Sequence, residues 1–168
     1  MRNAIIGSLL IAAVSTVGDF VWAGLNLRHR VIYGLAHGAI LFACIGGYFG
    51  LLDRRMLRGA MSGAGIGLAA AATFYVLAPL AGYSIMFFVW AFLWVGLAWV
   101  AGNRPVLWRG LLAMIGSGVA FYLISGIWRP FDPVGWDYAI HFLSWAFAYL
   151  PGFAAILASP ARTRAGAS

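Results

Sequence analysis

Few residues in this chain can do chemistry, and they are unevenly placed. The carboxylates are Asp19, Asp53, Asp132 and Asp137, and the histidines are His29, His37 and His141. Asp137 and His141 stand one helical turn apart, so a carboxylate there can orient the imidazole, and Ser144 follows further along the same helix face. Such a cluster serves acid–base work, a metal ion, or the polar end of a ligand. The sequence contains neither an HExxH pair nor a GxSxG elbow. Hydrolysis at an intramembrane zinc centre calls for a richer set of histidines and carboxylates, so no residue is assigned as catalytic or as a metal ligand. Cys44 is the single cysteine, which excludes an intrachain disulfide and reads as a small buried residue.

The elements that must position these groups follow from composition. The chain has 168 residues, 64% hydrophobic and 9% charged, far below the roughly 25% charged residues of soluble domains. Breaks in hydrophobicity delimit six spans, at 3–26, 31–52, 59–80, 83–101, 106–127 and 136–158. Each matches the ~20 residues that cross a hydrocarbon core about 30 Å thick. The expected fold is an all-α membrane protein, a six-transmembrane-helix bundle occupying residues 1–158, with 159–168 a disordered polar tail. The break between the third and fourth spans rests only on Pro79 and Gly82, so five helices are the alternative count. The first span stays apolar through Phe20, Val21 and Trp22, past any small-residue cleavage site, and is read as a retained helix.

The net charge of +7 does not signal nucleic acid, because the basic residues stand between apolar runs instead of forming one soluble basic face. All eleven are Arg, and Glu is absent, a bias expected of a GC-rich bacterial genome. Six spans place Arg2, Arg54, Arg55, Arg58, Arg104, Arg109, Arg162 and Arg164 on one side, against Arg28, Arg30 and Arg129 on the other. The positive-inside rule then puts both termini in the cytoplasm. Asp19, His37 and His141 fall together in the outer half of the bundle, about 8 to 10 Å below their helix ends. Ionisable groups at such depth face the bundle interior or a wet cavity and pair with one another. Three readings stay open for this level: a structural pair of Asp19 with His37, Arg28 or Arg30; a polar patch orienting a lipid headgroup; and a metal or acid–base site.

Packing and surface signals complete the reading. Gly59, Gly63 and Gly67 recur at four-residue spacing, as do Gly34 and Gly38, then Gly46 and Gly50, and such stripes let helix backbones approach closely. Gly7 and Gly96 read as ordinary membrane-helix glycines. Trp90, Trp94, Trp99, Trp108, Trp128, Trp136 and Tyr83 lie towards span ends and read as interfacial anchors. Arg54, Arg55 and Arg58 beside Asp53 form a juxtamembrane basic cluster suited to lipid phosphates. The outer segment from Trp128 to Pro133 reads as a tight connection stiffened by two prolines.

Short motifs in this order resemble the insulin-induced gene (Insig) family of six-helix membrane proteins. They are Leu52-Asp53-Arg54, then Gly96-Leu97-x-Trp99 with Asn103-Arg104, then Gly126-Ile127-Trp128 with Pro133. The aromatic-proline-cysteine stretch that opens the second helix of animal members is absent. The resemblance therefore implies the pattern of bacterial relatives, a non-enzymatic bundle holding a diacylglycerol-like lipid in a central cavity and forming trimers. The expectation is a bacterial inner-membrane protein that binds a neutral or weakly polar lipid between its helices. Asp19, His37, Asp137, His141 and Ser144 are the candidate ligand-binding residues. No cofactor, metal or nucleic acid is expected, and membrane lipid and a homo-oligomer are the expected partners. A small enzyme or transporter using the same cluster for proton relay or metal binding is the alternative. A structural assembly partner is the third reading.

Overall fold

In a hydrocarbon solvent every backbone N–H and C=O must be satisfied within its own segment, and a chain this apolar answers with helices. The computed structural model describes residues 1–25, 29–100, 107–125 and 135–157. These form α1 (Arg2–Gly24), α2 (Arg30–Leu52), α3 (Met56–Ala81), α4 (Met86–Val100), α5 (Leu107–Ser125) and α6 (Trp136–Leu157). A short 3-10 turn, Gly82–Ile85, joins α3 to α4, and Gly82 has φ of +61°, a conformation that a side chain would strain. That glycine makes the weakest sequence break a real helix boundary, and six α-helices stand among the described residues. Segments 26–28, 101–106, 126–134 and 158–168 lie outside the described residues. They carry Arg28, Asn103, Arg104, the 126–133 motif residues with Arg129 and Asp132, and the tail with Arg162 and Arg164. The side chains of Arg30 and Tyr83 are also outside the description.

Among the described residues, four helices are long and apolar enough to cross a membrane: α1, α2, α3 and α6. Their outward faces carry exposed apolar side chains such as Leu10, Val17, Val76 and Phe147, as faces turned to lipid do. The helices form a ring in which each packs on its chain neighbours and α6 closes onto α1, while α1 touches α2 only lightly. The tightest pairing is α2 with α3. A Cβ on Gly63 would sit 2.8 Å from the carbonyl carbon of Phe42 and 3.3 Å from Ala43 Cα. Gly59 likewise meets the backbone at Gly46 and Gly50, and Gly67 meets that at Gly38. The two glycine stripes therefore face each other and bring backbone against backbone.

The α2–α3 connection is equally tight. Arg54 N–H bonds the Leu51 carbonyl at 3.2 Å and Arg55 N–H the Gly50 carbonyl at 2.6 Å, the paired bonds of a Schellman helix end. Arg54 occupies the left-handed position of this motif, with φ of 55°, where glycine is usual.

The centre of the ring is aromatic. Trp94 is stacked with Trp90 at 6.2 Å and meets Phe153 edge-on at 5.8 Å, and Tyr149 meets Trp90 at 5.5 Å. Trp90 and Trp94 are 3% and 0% exposed, which corrects their reading as interfacial anchors. Trp94 Nε1 donates to Ser117 Oγ at 2.9 Å, so the indole finds a partner in the interior. Trp99, Trp108 and Trp136 do stand exposed near helix ends. Gly152 makes room for Trp94, and Gly7 for Tyr48 and Phe153. Gly96 faces Ile66, whose side chain would lie 3.2 Å from an added Cβ. Gly7 and Gly96 thus serve packing.

Candidate functional site

One face of α1 carries the polar residues that fasten it to α6. Ser8 Oγ donates to the Ala146 carbonyl, and Ser15 Oγ and Tyr149 Oη share a hydrogen bond of 2.7 Å. Asp19 continues the stripe one turn beyond Ser15 and meets the first turns of α6. Hydroxyl groups in this role hold membrane helices together where the hydrophobic effect cannot. Sequence reading passed over Ser8 and Ser15, whose spacing of seven residues is the signal that places them on one face.

Asp19 is the hub of the site. His141 Nε2 lies 2.9 Å from its Oδ2, Trp145 Nε1 donates to the same oxygen at 2.9 Å, and His37 Nε2 lies 3.3 Å from Oδ1. Helices α1, α2 and α6 are thereby tied at one level, as the shared depth of Asp19, His37 and His141 suggested. His141 and Trp145 are one turn apart, so the imidazole Nε2 and the indole N–H both reach a single carboxylate oxygen. Gly18 faces the His37 ring, where an added Cβ would lie 3.2 Å from Cε1. Phe20 covers the other flank, 4.3 Å from the Tyr138 ring and 5.2 Å from the His141 ring.

The network is partly open. Asp19 and His37 side chains are 26% and 27% exposed, and His141 is 16% exposed. Asp19 and His37 pair across α1 and α2, the loosest contact between neighbouring helices in the ring. Beneath it Trp145 stacks on Tyr149 at 5.3 Å, which joins the polar site to the aromatic centre.

The remaining candidates fall elsewhere. His141 Nε2 is paired with Asp19 and lies beside the Trp145 indole N–H, and it does not bond Asp137, which sits half-buried one turn earlier. The imidazole is therefore held by Asp19 of α1 and by Trp145 one turn further along α6, and not by Asp137. Ser144 is buried, and its hydroxyl donates back to the Ile140 carbonyl at 2.7 Å. That bond commits the hydroxyl hydrogen of Ser144 to its own helix. Trp145 is the member that sequence reading missed. Arg54, Arg55 and Arg58 are exposed at the opposite end of the bundle. A shallow apolar groove of about 270 Å³ is lined by Phe74, Tyr75, Ala78, Pro79 and Gly82, with no network residue among them.

Chemically, a carboxylate receiving several N–H groups can hold a charge below the helix ends, and its two imidazoles can accept or release protons. Among the described residues no group of three His, Cys, Asp or Glu is placed to hold a metal ion. The fold and site define an all-helical protein with membrane-capable helices, organised around a His–Asp–His network. No family model, curated protein or solved structure matches the chain.

Proposed function

We propose that this chain is a non-enzymatic, integral inner-membrane protein of a bacterium that binds a neutral or weakly polar, diacylglycerol-like lipid between its helices. The lipid's polar end meets the Asp19 network at the α1–α2 seam. The observation that carries this reading is the partial opening of Asp19 and His37 at the lightest helix contact of the ring. A polar group held at that depth and left accessible suits the head of a lipid whose chains lie along exposed apolar side chains such as Val14 and Ile40. The Insig resemblance points to the same ligand class. The position differs from a central cavity, since Trp90, Trp94, Tyr149 and Phe153 occupy the centre. Six membrane crossings with both termini cytoplasmic complete the proposal. The 15 residues of α4 span about 22 Å, and the preceding 3-10 turn adds about 8 Å, enough to cross.

The test is lipid occupancy, by mass spectrometry, together with melting temperature on the same detergent-purified variants. Asp19→Asn keeps an acceptor oxygen for the His141 and Trp145 N–H groups, and His141→Gln keeps hydrogen-bonding capacity at similar size. Both should lose retained lipid with a modest change in melting temperature. Full occupancy combined with a large fall in melting temperature would reject the ligand role and leave a structural ion pair. Proton relay is the second reading, favoured by the unbroken His37–Asp19–His141 connection. Proton flux in proteoliposomes that is lost in Asp19→Asn would replace the lipid reading.

A further inference from the structure

Every N–H that reaches Asp19 settles where an imidazole lone pair is left over. An indole N–H can only donate, and Trp145 Nε1 lies 2.9 Å from Asp19 Oδ2 and 3.0 Å from His141 Nε2. With Asp19 ionised, a lone pair on His141 Nε2 would face the carboxylate oxygen at 2.9 Å. The compatible arrangement has Nε2 carrying hydrogen, with both N–H groups turned to Oδ2. In the neutral ring the acceptor is then Nδ1, and that atom is buried with no hydrogen-bond partner among the described residues.

A buried acceptor without a donor is costly to maintain and calls for an explanation. Two further buried polar atoms lack a partner among the described residues, Thr16 Oγ1 and the indole donor Trp90 Nε1. Thr16 precedes Asp19 by three residues on α1, and the Trp90 ring lies 5.9 Å from that of Trp145.

Resting on the lipid-binding reading, we infer that the polar end of the ligand is a hydrogen-bond donor, a hydroxyl or an amine, that bonds His141 Nδ1, and that heads offering only acceptors are refused. A carboxylate or phosphodiester would set lone pairs against the Nδ1 lone pair and a second negative charge near Asp19. A hydroxyl completes the imidazole's bonding and leaves the Asp19 contacts untouched.

The experiment compares three probes on delipidated wild-type protein by native mass spectrometry: 1,2-dioleoylglycerol, its 3-O-methyl ether, and dioleoylphosphatidate presented as its methyl phosphodiester. The ether differs from the first by loss of the donated hydrogen, so no variant has to fold. We expect the ether and the phosphodiester to be retained roughly tenfold less than the diglyceride. The His141 Nδ1 resonance in ¹⁵N NMR should move with the diglyceride and not with the ether. Equal retention of diglyceride and ether would overturn the donor requirement while the lipid reading stood. Selective retention with an unmoved Nδ1 resonance would overturn the assignment to His141. Failure of all three probes, with unchanged co-purified lipid in Asp19→Asn, would overturn the lipid reading itself and this inference with it.

Discussion

Gly63 and Gly65 lie two residues apart on α3 and meet opposite surroundings, which makes them a matched pair for the backbone contact between α2 and α3. A Cβ at Gly65 has nothing within 4 Å, and its helix should gain up to about 1 kcal/mol from the better propensity of alanine. A Cβ at Gly63 would stand 2.8 Å from the Phe42 carbonyl carbon and nearer still to its oxygen, against 3.4 Å for ordinary contact. The obstacle is backbone, so no side chain can swing aside, and the helices must part by about 1 Å or more. A gap of that size forfeits about half of the dispersion well along the contact. Overpacking of this kind costs about 2 kcal/mol, and the propensity gain offsets only part of it. Gly63→Ala should lower the melting temperature in detergent by several degrees, whereas Gly65→Ala should hold or raise it. The bulkier Gly63→Leu should prevent the close approach altogether. Equal melting temperatures for the two alanine variants would refute the argument and show that α2 and α3 are free to separate.

Two other predictions concern the ring interior and its orientation. Trp94→Ala, which empties the aromatic centre, should cost about 3 to 5 kcal/mol, while Trp99→Ala at an exposed position should change stability by less than about 1 kcal/mol; chemical unfolding in mixed micelles measures both. In a Cys44→Ala background, Ser84→Cys should react with an impermeant thiol reagent added outside intact cells, and Met56→Cys only after permeabilisation. Labelling in the reverse order would invert the proposed topology.

Helix bounds were legible because length and turn residues report on them directly. The glycine stripe was legible too, since repetition at four residues survives without knowledge of the partner. The rotation of α4 was not. Its residues from Met86 to Val100 are apolar on every side, and lipid and protein interior are both apolar, so the pattern gives no angle for Trp90 or Trp94. At the site, shared depth brought Asp19, His37 and His141 into view. Trp145 stayed hidden because an indole counts as hydrophobic until a buried acceptor is found for its N–H. Asp137 misled for the opposite reason, being close to His141 in sequence while the ring turns to another helix. Ser144 looked available by spacing alone, and spacing cannot show a hydroxyl bonded to the carbonyl one turn back.

The network joins residues that leave the ribosome at very different times. His141 follows Asp19 by 122 residues, an interval of about 6 to 24 s at ordinary synthesis rates. His37 arrives on the very next helix, only a loop away. The carboxylate of the first helix therefore meets a provisional partner early and its remaining partners at the end of translation. His37 is thus the first partner within reach of Asp19 as the chain is made, and the ring can close only when α6 has followed.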